Sequence, residues 1–360
     1  MKPKFFAYYL PQFHPIPENN SWWEEGFTEW TNVKRAKPLF PGHIQPLVPG
    51  ELGYYSLEDP DTLQLQANLA KSYGVDGFVF YHYWFGNSKT LLERPLHDFL
   101  NSNVDIQFAM CWANESWKGT WHGAGNRMLQ EQLYPGKEDY MAHFNYLLPF
   151  FKDPRCLKIE GKSVFQVYVP ESIPDLTIFV KTFDDQAKLA GLAGIYWIAV
   201  KTSSNWIDKD SIFNGYVNPN LININQYHRK SFSGLLRRYL FNNPIVRKLL
   251  KWPKTVYYQT VRACLEDFED NYLKDFFPLS IPNWDNTPRT KNEGTVYLNS
   301  SPKSFEKHLN ACVRQASKLP SSRQIIFVKS WNEWAEGNVL EPTEKYGRQY
   351  LEVINKIKNQ

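Results

Sequence analysis

The sequence predicts an α/β fold in one domain, residues 1–360: a single (β/α)8 TIM barrel with long βα loops and a basic helical insertion. Three observations predict it. Short apolar runs alternate with amphipathic stretches eight times along 360 residues. No glycine fingerprint of a dinucleotide-binding sheet interrupts them. Trp, Asn, Glu and His gather just past the ends of the apolar runs, the rim where barrels of this class build their sites.

The elements follow in order. Phe5–Leu10 reads as the first strand, and a Pro-, Trp- and Gly-rich loop runs on to about Leu57. Leu65, Leu69 and Tyr73 recur at helical spacing within Asp61–Tyr73. Gly77–Tyr83, dense in Phe, Val and Tyr, reads as the second strand. A helix over Leu91–Leu100, a third strand over Ile106–Trp112, a helix over Lys137–Phe151 and a fourth strand over Ser163–Val169 come next. Leu176–Ala190 reads as a helix stopped by Gly191. Ile195–Val200, a weak Gly215–Ile224 and Phe276–Ile281 supply strands five to seven. A helix over Lys303–Lys318, an eighth strand over Gln324–Lys329 and a closing helix over Glu344–Ile357 complete the pattern.

One segment breaks the rhythm, an insertion over residues 229–275. Between His228 and Lys254 lie Arg229, Lys230, Arg237, Arg238, Arg247, Lys248, Lys251 and Lys254, with no acid among them. Phe232, Leu235, Leu236, Tyr239, Leu249 and Trp252 interleave with these. The segment reads either as a surface helical pair with a solvated basic face or as a contact, through 229–254, with an anionic membrane surface or an acidic glycan.

Composition narrows the function classes. A net charge of +4 is too small to imply nucleic acid. Cys111, Cys156, Cys264 and Cys312 form no CxxC, so free thiols are expected and no metal site or cofactor. The chain leads from Met1 straight into the first strand, with no apolar signal region, and reads as cytoplasmic. No stretch approaches the ~20 apolar residues of a spanning helix. Aromatic residues make up 16% of the chain, enough to fill a core and also line a sugar site, because the C–H face of a pyranose packs on a ring.

The strand ends carry the chemistry. The first supplies Tyr9, Gln12 and His14, and its loop adds Glu29 and Trp30. The second supplies Tyr81, His82, Tyr83 and Trp84; the third Trp112, Asn114, Glu115 and Trp117; the fourth Tyr168. Trp284, Asp285 and Arg289 follow the seventh strand, and Trp331, Asn332 and Trp334 the eighth. All are expected to bind substrate, with alternatives at four residues. Asn114 and Glu115 also read as a loop anchor, Asp285 as scaffold paired with Arg289, and His82 as a satisfied core histidine. Glu333 and Glu336 are the expected catalytic residues. Three apart on a turn, they share a face. Two carboxyls on one cavity repel until one is pushed toward its neutral form, which supplies an acid and a base together. No GxSxG, HExxH or P-loop motif competes with them.

Tyr8-Tyr9-Leu10-Pro11-Gln12-Phe13-His14, Gly26-Phe27-Thr28-Glu29-Trp30, Tyr81-His82-Tyr83-Trp84-Phe85, Trp112-Ala113-Asn114-Glu115, Trp284-Asp285-Asn286-Thr287-Pro288-Arg289 and Trp331-Asn332-Glu333-Trp334-Ala335-Glu336-Gly337 together resemble the WbsX-like family of bacterial surface-polysaccharide loci. That family is similar to glycoside hydrolase family 99, whose (β/α)8 barrels cleave α-mannosidic bonds. The resemblance implies a retaining, metal-free mechanism in which Glu333 is the base and Glu336 the acid. In it the sugar's own 2-hydroxyl attacks the anomeric carbon to give a 1,2-anhydro sugar. Three functions stay open: a glycoside hydrolase acting on a bacterial polysaccharide, a glycosyltransferase or transglycosylase of O-antigen or capsule (lipopolysaccharide) assembly, and a non-catalytic glycan-binding protein. The expected partner is an oligo- or polysaccharide.

Overall fold

The computed structural model describes residues 2–119, 127–200, 206, 208, 210–217, 243–266 and 275–360. Among the described residues, nine parallel strands form a nearly closed barrel: β1 (Lys4–Tyr9), β2 (Gly77–Trp84), β3 (Gln107–Trp112), β4 (Lys162–Val167), β5 (Ile195–Ala199), β6 (Gly215–Val217), β7 (Asp275–Phe277), β8 (Leu279–Ser280) and β9 (Ile325–Val328). They lie in the order β7-β6-β5-β4-β3-β2-β1-β9-β8. The expected seventh strand is thus two strands. Pro278 splits it because proline has no N–H for the ladder, while its carbonyl still accepts from the Phe327 N–H at 2.9 Å. β7 lies on β6 and β8 on β9, so the two halves together bring the ring round to closure.

The strands are nearly all apolar because both faces are covered, the usual state of a parallel sheet. Every residue of β2 is buried. Gly77 opens it beside the Phe6 ring, where a Cβ would come within 2.3 Å, so only glycine fits this close approach of β1 and β2.

The helices are α1 (Pro17–Trp22), α2 (Glu29–Arg35), α3 (Pro60–Ser72), α4 (Arg94–Leu100), α5 (Lys137–Lys152), α6 (Leu176–Leu189), α7 (Pro244–Leu250), α8 (Tyr258–Glu266), α9 (Thr287–Thr290), α10 (Pro302–Ala316) and α11 (Gln349–Asn359). Two start later than expected. Thr90–Leu91 pairs back on β2, and Pro95 sits in the first turn of α4. Residues 343–347 form a turn closed by the Gly347 N–H on the Thr343 carbonyl at 2.7 Å, which delays α11. The loop after β1 holds α1 and α2, which the sequence did not suggest.

The basic run from Arg229 to residue 242, the sixth strand beyond Val217 and the glycine-rich stretch 120–126 lie outside the described residues. The described part of the insertion is more than a surface helix pair. After α7, Lys254–Tyr257 forms a parallel ladder with Thr295–Leu298, and Tyr258 then buries its ring against His308 of α10. Among the described residues, no helix is long and apolar enough to cross a membrane.

Candidate active site

A cavity of 620 Å³ opens at the C-terminal ends of the strands, with Glu333 and Glu336 on its wall. The local fold sets the pair. Asn332–Glu333 folds back on Asn338–Val339, and Trp334–Glu336 makes one 3-10 turn between them. A 3-10 turn has about 3 residues per turn, so positions 333 and 336 stand one above the other. Gly337 closes the turn at φ +60°, and a Cβ there would meet Asp285 at 2.9 Å. Glycine therefore lets the turn dock on Asp285, whose N–H donates to the Glu336 carbonyl at 2.7 Å.

The two carboxyls have different neighbours. Burial is the main cause that pushes Glu333 up to about 8. Lys329, 3.9 Å away, pulls it down, and Glu336 pushes it up. Asn338 Nδ2 donates to Glu333 Oε2 at 3.3 Å. Glu336 Oε1 accepts from Arg289 Nη1 at 2.7 Å. Arg289 Nη2 reaches the other way, to Glu29 Oε1, also at 2.7 Å. Burial opposes the charge on Arg289, but the two carboxylates outweigh it and raise its affinity for the proton. Glu29 lies behind the wall, fully buried, and also accepts from the Ala335 N–H at 3.1 Å. Its burial raises its own pKa against the pull of Arg289.

Strand parity decides which other candidates face the cavity. Alternate side chains of a strand point to opposite faces. Tyr81 and Tyr83 line the cavity, as do Gln12, Glu115, Trp117, Tyr168, Trp284 and Arg289. Their neighbours of opposite parity point outward to the helices. Tyr9 donates to Gln66 of α3 at 2.7 Å. His82 lies 2.8 Å from His143 of α5, and burial pushes it down to about 3, so it is a neutral core histidine. Trp84 donates to Asp139 at 3.0 Å and stacks on His143. Trp112 donates to the Trp84 carbonyl at 2.9 Å and packs on Phe179 of α6.

Further expected ligands turn out to be scaffold. Asn114 anchors the strand-four loop through both the N–H and the carbonyl of Val169, at 2.8 Å each. Asp285 is buried and accepts from His43 and Gln45 at 2.7 Å and from the Thr287 hydroxyl at 2.6 Å, rather than pairing with Arg289. Asn332 holds the Leu10 N–H at 2.7 Å. Trp30 packs between Phe13 and Trp334, Trp331 lies buried on Phe78, and His14 is buried away from the cavity. Trp334 donates to Glu341, a buried acid pushed up to about 7 by desolvation that also accepts from Gln66 and Tyr55.

Several wall residues were not expected at this site: Tyr8, Trp23, Tyr297 and Lys329, together with Lys254, which the sequence placed in the basic insertion. Tyr8 lies on the opposite face of β1 from Tyr9, and alternation along the strand does not say which of the two faces the cavity. Lys329 had a plain signal, a lone cation just past the apolar β9. Its ammonium stands 5.2 Å from the Trp284 ring and 5.9 Å from Tyr168, and Glu333 keeps it charged against burial. Cys111, Cys156 and Cys312 are buried and form no disulfide among the described residues.

The chain matches the glycosyltransferase WbsX family over residues 5–354 and belongs to it. It is 35% identical over 352 residues to the WxcX protein of Xanthomonas campestris pv. campestris, covering 96% of this chain and 48% of that protein. The chain thus spans about half the length of the curated relatives it matches. Among solved structures, it is similar to a glycoside hydrolase-like protein at TM-score 0.60 and 14% identity, covering 99% of this chain and 94% of the other. It is also similar to the family 99 endo-α-mannosidase of Bacteroides thetaiotaomicron at TM-score 0.56 and 14% identity, covering 99% and 96%. At such identity the likeness is one of fold: the barrel is that of glycoside hydrolases.

Proposed function

We propose that this WbsX-family chain is a carbohydrate-active enzyme that cleaves a glycosidic bond of a bacterial surface polysaccharide, with Glu333 and Glu336 as its acid–base pair. One observation carries the reading. Two carboxyls, one just before a 3-10 turn and one at its end, line an aromatic-lined cavity in unlike surroundings, Glu333 pushed up to about 8 and Glu336 held by Arg289. Environments that differ between paired carboxyls are how one site runs acid and base chemistry together.

In the mechanism the resemblance implies, Glu333 takes the proton of the sugar 2-hydroxyl. That oxygen bonds to the anomeric carbon as the glycosidic bond breaks, and Glu336 gives its proton to the leaving oxygen. Water then opens the 1,2-anhydro ring: its oxygen bonds to the anomeric carbon as Glu336 takes its proton, and Glu333 returns its proton to the 2-oxygen, with net retention. A base with a pKa near the working pH suits this step. For it, the proton that the pair shares must sit on Glu336 when substrate is in place. The raised affinity of buried Glu333 for its proton supports the reversed roles as a second assignment.

Glycosyl transfer is the second reading, favoured by the family's description. A sugar hydroxyl would then replace water. The test is incubation of the protein with bacterial surface polysaccharides and mannans, reading new reducing ends and products by mass spectrometry. New ends that vanish in Glu333→Gln and Glu336→Gln support hydrolysis. No cleavage, but sugar transfer once nucleotide sugars or lipid-linked acceptors are added, supports the transferase. Full turnover by Glu336→Gln on a poor leaving group would sink the acid–base assignment.

A further inference from the structure

Four cations stand on the described cavity wall: Lys118, Lys254, Arg289 and Lys329. Arg289 lies between Glu29 and Glu336, Lys329 faces Glu333, and Lys118 is exposed to solvent. Lys254 differs from all three. It is half-buried and has no carboxylate at ion-pair distance among the described residues. The charge that acts on it most is another cation, Arg247. Arg247 uses its own donors on the carbonyls of Asn292 at 3.2 Å and Trp252 at 3.4 Å.

The backbone holds Lys254 in place. Its N–H donates to the Gly294 carbonyl at 2.8 Å, and it stands in register opposite Thr295. Thr295, Thr290 and Asn286 line the same cavity, as do the Trp284 and Tyr297 rings, 6.4 Å apart. A partly desolvated ammonium beside a second cation is unfavourable by itself, and both burial and Arg247 press it toward the neutral form. An anion in the cavity reverses that balance. Acidic substrate near two glutamates also needs a counter-charge on the wall, and rings beside a cation suit a sugar that bears a negative group.

We infer that Lys254 receives the negative group, carboxylate or phosphate, of an acidic saccharide bound in this cavity. The inference rests on the reading of the cavity as a saccharide site. Lys254 is then a specificity residue of the substrate's charged position, supplied by the end of the basic insertion.

The experiment is a binding measurement, read by tryptophan fluorescence and calorimetry, in the unmodified protein and in a Glu333→Gln background where no turnover occurs. The probes are tetragalacturonate for the carboxylate, a phosphorylated mannan oligosaccharide for the phosphate, and neutral mannotetraose. At least one acidic probe binds about tenfold tighter than the neutral one, and less tightly as salt rises. Which acid wins identifies the source of the charge. Lys254→Gln removes the preference, Lys254→Arg keeps it, and neither lowers the melting temperature, because no ion pair among the described residues is lost. A preference that survives Lys254→Gln, or no preference for either acid (including no binding by any probe), overturns the inference. Cleavage of a neutral polymer without acid preference sinks this inference alone. Acid preference without cleavage or transfer sinks the proposed function alone.

Discussion

Glu29 and Arg289, 260 residues apart in the chain, meet at 2.7 Å behind the cavity wall with both side chains buried. Arg289 is thereby fixed to hold Glu336 from its other nitrogen at the same distance. Glu29 touches no cavity space, so it acts through Arg289 as a positioning residue. Glu29→Gln removes one partner of a buried ion pair and is expected to destabilise the fold by about 3 kcal/mol. On a confirmed substrate it lowers kcat more than it raises KM, because it loosens Glu336 and leaves the binding wall intact. Urea unfolding and steady-state kinetics on one preparation check both; a rise in KM with kcat unchanged would make Glu29 a binding residue.

Lys329 and Glu333 make a pH prediction. Desolvation raises Glu333 to about 8, and the Lys329 ammonium holds it from rising further. With Glu333 as base, kcat/KM rises with pH to a limb near 8, and Lys329→Met moves the limb to higher pH. With the roles reversed, activity falls through the same limb. The linkage to stability has a definite sign. A carboxyl whose folded pKa is raised contributes stability that is present below its unfolded value near 4.5 and lost as pH climbs through 8. Glu333→Gln removes that loss, so its melting temperature exceeds the parent's at pH 9 and the gap narrows by pH 4.

Asp285 gives a clean separation of scaffold from ligand. Its carboxylate accepts from His43, Gln45 and Thr287, and an amide there would turn a donor toward donors. Asp285→Asn is expected to cost about 2 kcal/mol of stability with KM unchanged. A changed KM at unaltered stability would return Asp285 to the substrate.

Buried neutral histidines set the acid limit of the fold. His82 and His308 are pushed down to about 3 by burial, well below their ordinary 6.5. Their stability contribution is full above 6.5 and lost as pH falls from there toward 3. Between pH 7 and pH 5 each costs about 2 kcal/mol. His308→Gln is expected to shrink the difference in urea midpoint between those two pH values by one histidine's share. An unchanged difference would place His308 among groups that ionise freely.

The strand–helix rhythm was legible in the sequence because alternating apolar runs and amphipathic stretches leave their period in the residues. Glu333 and Glu336 were legible too, since spacing within one turn is a local property. What did not show was direction. Tyr8 or Tyr9, His82 or Tyr83, Trp112 or Ala113 look equally suited to a site, and a shift of one residue flips every side chain to the other face. Pro278, a legible strand breaker, was passed over because the apolar run continues across it.

The sequence by itself determined the barrel, the polar and aromatic rim at its strand ends and the carboxyl pair beside its last turn, because each follows from neighbours along the chain. Only the tertiary structure decided that Glu29 reaches Arg289, that Asp285 answers to His43 and Gln45, and that Lys254 stands on the cavity wall with no carboxylate at ion-pair distance among the described residues. The reason is physical: burial and charge pairing depend on distances between segments far apart in the chain, and only closure of the barrel fixes those distances.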